Sequence, residues 1–314
     1  MKHLALLLSA SLLISASVRA DNHEAALTLD ELTDAFGWDM ANMEVTSEKV
    51  ADGLYVLFGA GGNIAVSIGA DGVLIVDDQF PAMMDKIEAE IGRLGGDGVD
   101  YAINTHWHFD HAEGNNTLGP KGTTIVAHAK ARDDMARGGM VNLVIAKYNQ
   151  QPYPMEALPS ITYTDSMSLH YNGGPVSLLH FAPAHTTGDS AIYFEGVNAV
   201  HLGDVFNNSG YPFIDVDSGG SIDGMIKFCK QTLAAIKPDT IVIPGHGPVT
   251  DTAALQRYIY MLETMRERVA NMIEDGMSLE EVMAANPTGK FDEVYGPESA
   301  SLGFVNRVYT SLTK

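Results

Sequence analysis

Cysteine is all but absent. Cys229 is the only one in 314 residues, so no disulfide can form within the chain. It lies in "MIKFCKQTL", a helical pattern, and reads as a small core side chain. It does not end the N-terminal apolar stretch, which argues against a lipid anchor there. Basic residues are scarce as well: 19 Lys and Arg stand against 40 Asp and Glu, a net charge of −21, and they form no run. A surface this acidic repels phosphate backbones, which are bound chiefly by Lys and Arg, so nucleic-acid-handling roles are disfavoured and a small-molecule substrate is expected. Internal repeats and low-complexity segments are also lacking.

Long apolar runs are missing beyond the first 20 residues. There, Lys2 precedes "LALLLSASLLIS", too short to span a bilayer comfortably and interrupted by Ser and Ala, and "SVRA" ends on a small residue. Residues 1–20 are therefore expected to be a signal peptide, cleaved after Ala20 to leave Asp21. The mature protein is expected to be exported, without a membrane anchor, and periplasmic if the source has two membranes. Cleavage removes Lys2 and Arg19 and no acid, leaving 17 basic against 40 acidic residues and a charge of −23.

What is present is an ordinary globular composition, 46% hydrophobic and 19% charged, in a chain long enough to need no staple. Residues 21–45 are polar with scattered apolar positions and read as a loosely attached tail or a short helix. A single catalytic domain is expected over 46–314. "GLYVLFG", "NIAVSIG" and "GVLIVDD", separated by "AGG" and "ADG", read as an antiparallel meander. "MMDKIEAEIGRLGG" has helical spacing, and "DYAIN" is a strand. "AEGNNTLG" and "TTIVAHAKARDDMARG" continue as alternating helix and strand. Residues 138–160, rich in apolar side chains among prolines 152, 154 and 159, read as an insertion. It either packs over something or buries its own side chains. "PVSLLHFAPA", "SAIYFE", "NAVHLGD" and "DTIVIPGHG" are strand candidates, with a helix over "GSIDGMIKFCKQTLAAI". From Thr252 the chain turns helical, and "SLEE" at Ser278 has the form of a capping box. Interleaved strands and helices argue for an α/β fold of sheets covered by helices.

The chemistry concentrates in "THWHFDHAEGNN", where His106, His108, Asp110 and His111 fall within six residues directly after the strand "DYAIN". Alternation in an extended chain points His106 and His108 to one side. Two imidazoles make a partial metal site, and a catalytic site needs a third ligand with one position left open. Candidates follow other strands: His185 in "AHTTGDS", Asp204 in "HLGDVF", His246 in "PGHGP". Strand ends on one edge of a sheet layer converge and support ligands rigidly. Gly203, Gly245 and Gly247 beside two of them permit tight turns or close approach. His3 goes with the leader; His23, His128, His170, His180 and His201 lack that context and read as structural or surface residues, and His201 could also sit behind Asp204.

"THWHFDH", "AHTTGD", "LGD" and "PGHG", with the opening "GNIAVSIGADGVLIVDDQ", resemble the metallo-β-lactamase superfamily over about residues 50–250. The resemblance implies an αββα sandwich with a metal centre at one edge between the sheets, extended here by C-terminal helices from about 252. It implies two zinc ions: His106, His108 and His185 at the first, Asp110, His111 and His246 at the second, and Asp204 bridging both. Asp77, at the end of "VLIVD", is expected to support them from behind. Iron or manganese would also suit these ligands. His106, His108, Asp110 and His111 form the implied catalytic core, with a metal-bound hydroxide attacking a carbonyl and Asp110 orienting the nucleophile.

Fold does not choose the reaction. A cyclic amide or ester, β-lactam or lactone, is the leading substrate class. The bridging Asp204 weighs against a dedicated β-lactamase, since the lactamase subclasses carry cysteine or serine near that position. The alternatives are a glyoxalase II-like thioesterase, for which no basic cluster suits the glutathione carboxylates, and an iron-dependent oxidoreductase. Residues 58–63, "FGAGGN", occupy the place of the family's flexible hairpin over the site, and 138–160 offers a second wall. Asn207, Asn208 and Tyr211 could donate to an oxyanion, though ordinary loop polarity is the preferred reading.

Overall fold

A computed structural model of the protein describes residues 25–314, apart from the side chains of Glu298 and Ser299. The expected leader, with His3, lies outside the described residues, as do Asp21 and His23. The first sheet takes β1 (Thr46–Ala51), β2 (Leu54–Phe58), β3 (Ile64–Gly69), β4 (Gly72–Val76), β5 (Tyr101–Asn104) and β6 (Thr124–His128). After β6 the separate hairpin β7 (Gly139–Asn142) and β8 (Lys147–Gln150) stands off, and β9 (Ile161–Tyr163) closes the sheet in the order β1-β2-β3-β4-β5-β6-β9. The second sheet runs in sequence order through β10 (Ser166–Tyr171), β11 (Gly174–Leu179), β12 (Ala191–Phe194), β13 (Ala199–His201), β14 (Ile241–Ile243) and β15 (Thr250–Asp251).

Side-chain alternation assembles the layers. Val73 and Ile75 of β4 join a core on the helix side of the first sheet, while Leu74 and Val76 point the other way. Val200 and Val242 of β13 and β14 join a helix-side core of the second sheet, and Ala199 and Ile243 point inward. The inward sets of both sheets form a single cluster. The result is helix, sheet, sheet, helix: the αββα sandwich. A one-residue register slip would turn each of these side chains out of its core, where each valine, leucine or isoleucine contributes about 1.5–3 kcal/mol.

The helices are α1 (Leu29–Phe36), α2 (Met84–Arg93), α3 (Phe109–Ala112), α4 (Asn115–Leu118), α5 (Ala129–Arg137), α6 (Ile222–Ala235), α7 (Thr252–Glu274), α8 (Leu279–Ala284), α9 (Asp292–Tyr295) and α10 (Glu298–Thr313). The C-terminal helices pack on the second sheet through α6 and α7, with Phe304, Val305 and Val308 of α10 in that core. Ser278 caps α8 in a reciprocal capping box with Glu281. No helix among the described residues is long and apolar enough to cross a membrane.

Of the two readings of residues 21–45, the short helix is the one found, as α1, and the segment is anchored. Thr28 and Glu31 cap α1 reciprocally, and Leu32 is fully buried in the first helix-side core. Leu27 N–H donates to the Lys147 carbonyl on β8 at 2.7 Å. Lys86 on α2 donates to the carbonyls of Met40, Ala41 and Met43. The hairpin itself turns at Val144, a β-branched residue at φ 71°, where glycine is usual.

Candidate metal centre

The ends of parallel strands deliver the site. β4 runs parallel to β5, and β13 parallel to β14, so Asp77, the Thr105–His111 segment, Asp204 and His246 all emerge at one edge. The structure brings together all seven residues the sequence singles out: His106, His108 and His185 in one group, Asp110, His111 and His246 in a second, and His106, His111 and Asp204 in a third that joins them. Within each group the ligand atoms lie within 4.8 Å of one another. His106 and His108 converge as expected, but not from a strand, since β5 ends at Asn104. His108 is the extended residue that begins α3.

Asp77 organises both halves. Its backbone takes φ 64°, which turns the carboxylate under the cluster. Thr105 donates to it through both N–H (2.7 Å) and hydroxyl (2.8 Å). His111 donates to it through Nδ1 at 2.7 Å. With its own proton committed to Asp77, the Thr105 oxygen accepts from His106 Nδ1 at 3.0 Å. One buried carboxylate therefore sets the tautomers of His106 and His111. His185 Nδ1 donates to the Phe213 carbonyl at 2.8 Å, and His108 Nε2 donates to Asp215 at 2.9 Å.

These partners leave every remaining nitrogen of the first group with an inward lone pair. His106 Nε2 is buried without a partner. His108 Nδ1 and His185 Nε2 face each other at 2.9 Å. Two lone pairs at that distance repel unless a cation lies against both. Burial, and then the neighbouring imidazoles, hold the His106 pKa well below its ordinary value and bring His185 down to about 4, so both are neutral donors.

The second group carries the negative charge. His246 Nε2 lies 3.2 Å from Asp110 and 3.2 Å from His111 Nε2. Asp204 reaches both halves: its Oδ1 is 3.1 Å from His111 Nε2 and 3.4 Å from His246 Nε2, and its Oδ2 is 3.8 Å from His185 Nε2. Oδ1 is buried and lacks a well-aligned hydrogen-bond partner. Burial opposes ionisation of Asp204, but His246 and His111 outweigh it and hold its pKa well below the carboxylate range. Burial likewise opposes the His246 cation, while Asp204 and Asp110 raise its pKa to about 10. Protons thus stand where metal charge belongs, and a metal binding there must displace them. Inward lone pairs, an unsatisfied buried carboxylate oxygen and an imidazole–carboxylate donor set all fit divalent metal.

Glycine makes room for this packing. A Cβ on Gly62 would overlap the His111 ring, and one on Gly245 would overlap Asp204. Residues 59–63 are consequently a short connection packed against Asp110 and His111, with Gly62 N–H donating to the Asp110 carbonyl, and not a hairpin folded over the site. His201 is structural and sits behind the Asp204 turn, one of the places the sequence allowed it. It is buried, donates from Nε2 to the Asn63 carbonyl and accepts the Gly203 N–H, bracing the turn that carries Asp204. Asn208 and Tyr211 are engaged elsewhere, donating to the Pro248 carbonyl and to Asp292, as the loop-polarity reading expects. Asn207 lines the cleft above the site. Asp215 and Thr105 were not singled out from the sequence; neither has a local signal beyond its contact with a ligand in space. Asp189 stands within the quoted "AHTTGD", where it takes the N–H groups of Ala184 and Thr186 and so fixes the His185 turn.

Solved structures share this fold. A crystal structure of DIM-1 metallo-beta-lactamase aligns with a TM-score of 0.56 at 18% identity, covering 70% of this chain and 98% of that one. A metallo-beta-lactamase from Pontibacter korlensis aligns with a TM-score of 0.58 at 13% identity, covering 70% and 99%. A family model described as the metallo-beta-lactamase superfamily matches residues 60–246, from the Gly62 connection to His246. That span is more than half of the chain and contains the whole donor cluster, so the chain belongs to the metallo-β-lactamase superfamily.

Proposed function

We propose that the protein is an exported dinuclear zinc hydrolase that opens a cyclic ester or amide, with lactones favoured over β-lactams. The observation that carries this reading is Asp204, placed between two three-residue donor groups with one oxygen toward each. When bound, a metal pair supplies Lewis acidity toward a carbonyl and lowers the pKa of water to about 7. The chain's own part is to hold that chemistry in place. His106, His108 and His185 would hold one ion, and Asp110, His111 and His246 the other. Asp204 would fix their spacing by offsetting their repulsion. Asp110, the ligand-side carboxylate that also lines the cleft, is placed to accept a proton from an attacking water. Asn207 is placed on the cleft wall, where its amide can face a substrate oxygen.

Metal analysis under saturating zinc, with a panel of a chromogenic cephalosporin, lactones, a thioester and a phosphotriester, tests the reading. About two ions per chain and lactone turnover are expected. His185→Ala and His246→Ala should each lower the metal content by about one, since each removes one of three protein ligands at its own ion. No more than one ion, or no turnover of any panel member, overturns the proposal. Redox-active iron in protein purified without added metal, together with absent hydrolysis, would move the chain to the oxidoreductase alternative.

A further inference from the structure

The metal cluster opens into a cleft of about 270 Å³, and this continues outward into a second of about 350 Å³. Phe36, Leu143, Tyr211 and Phe213 line both, so the two adjoin through shared walls and are taken together as one channel. Beyond the metal-site residues, its walls come from four separated parts of the chain: the end of α1, the tip of the β7–β8 hairpin, the loop before α6, and α10. Trp38 lies at the inner end, and Ile145 and Phe304 at the outer. The inner walls carry Asp110, Asp204, His108, His246 and Asn207; the outer walls are apolar.

Among the described residues lining either part there is no Lys or Arg. Arg307 comes close, with its guanidinium 5.6 Å from the Phe213 ring centroid, but it is buried and committed to Asp217 and the Asn142 carbonyl. It therefore braces α10 against the hairpin and is not among the residues that line the cleft. At the mouth, Ile145 is 77% exposed and Phe36 40% exposed, so apolar surface continues to the rim. Val144, with its left-handed backbone, turns the hairpin between Leu143 on the inner wall and Ile145 on the outer.

We infer that this channel is a substrate subsite for an uncharged apolar substituent, so that the preferred substrate is a neutral lactone or ester carrying an alkyl or aryl group of several carbons and no carboxylate. This rests on the proposed hydrolysis for its reacting end only. The polar inner end takes the carbonyl. The apolar length beyond it rewards methylene burial and presents no partner to an anion, whose desolvation would go uncompensated.

The test compares γ-butyrolactone with alkyl-substituted γ-lactones of increasing chain length, and a γ-lactone carboxylic acid with its methyl ester, on zinc-loaded enzyme. Full burial of one methylene is worth roughly fourfold, so a rise in kcat/KM of about tenfold or more over four carbons is expected from partial burial. The acid should be about tenfold or more poorer than its methyl ester. Leu143→Ser and Phe36→Ser should flatten the chain-length slope while metal content stays at wild-type level. A readout independent of turnover uses inert ketones: 2-pentylcyclopentanone should bind more tightly than cyclopentanone and change Trp38 fluorescence, an effect lost in Trp38→Phe.

Lactone turnover with a flat slope, or preference for the acid, overturns the inference and leaves the proposed reaction standing. Absent turnover with chain-length-dependent ketone binding sinks the reaction and supports the subsite. A dimer that Ile145→Asp dissociates, without chain-length dependence in either assay, would make the rim a contact between two copies and overturn the inference.

Discussion

At the scale of single residues, the candidate site is organised by a carboxylate that stands outside the three donor groups. Asp77 reaches His111 directly and His106 through Thr105, whereas Asp215 reaches only His108. Carboxylates behind ligating imidazoles typically contribute about 10–100-fold in metal affinity. Asp77→Asn, which tolerates the left-handed backbone, should therefore weaken both ions, and Asp215→Asn only the one held by His106, His108 and His185. Chelator competition on each variant separates these outcomes; equal loss of both ions in Asp215→Asn would contradict the assignment. Asp204→Asn removes the shared negative charge while nearly keeping its size. The Asp110–His111–His246 ion should leave first and hydrolysis fall with it, measured by metal content and rate on the same sample. The ligands are legible in the sequence because metal chemistry restricts them to a few residue types, and each follows a strand. Thr105 and Asp215 are not, because any threonine or aspartate can serve once the fold has brought it there. Asp77 is legible only through the strand end that carries it.

Among the elements, the buried strands are the readable ones. β3, β4 and β14 are apolar runs bounded by turn signals. β1 (TSEKVA) and β10 (SMSLHY) are edge strands with no fully buried position and no apolar run; β10 shows only the weaker signal of alternation, with Met167, Leu169 and Tyr171 half-buried. α1 is short and would be marginal alone; tertiary burial of Leu32 and the ties to β8 and α2 hold it. Element packing also makes His128 pH-sensitive. His128, ending β6, stacks on His180 with ring centroids 4.0 Å apart. His128 Nε2 donates to the Thr164 carbonyl and its Nδ1 accepts the Lys130 N–H, while His180 Nδ1 donates to the Asp189 carbonyl. Burial first, then His180, lowers the His128 pKa from its ordinary 6.5. The unfolded chain thus takes up the proton first. Its stabilising contribution is whole above pH 6.5 and declines as pH falls below that toward the folded value. His128→Gln should lower Tm more at neutral pH than in mild acid, so the wild-type and mutant Tm curves converge on acidification. Parallel curves would show that His128 titrates alike folded and unfolded.

For the molecule as a whole, the deciding quantity is charge. A net charge of −21, or −23 after loss of the expected leader, surrounds a site whose cleft is walled by Asp110 and Asp204 beside its histidines. At low ionic strength the field of the acidic surface extends about 30 Å from the protein, and at about 1 M salt only about 3 Å. A carboxylated substrate must approach through that field and then enters a channel lined by no lysine or arginine among the described residues. A neutral lactone meets no such barrier. Raising NaCl from about 10 mM to about 500 mM should therefore raise kcat/KM for a carboxylated substrate several-fold, chiefly through KM, and leave that for a neutral lactone nearly unchanged. Zinc content measured at both salt concentrations separates screening from loss of metal. If salt slows the carboxylated substrate instead, the metal pair's own positive field dominates the approach. The acidic surface would then play no part in selecting the substrate.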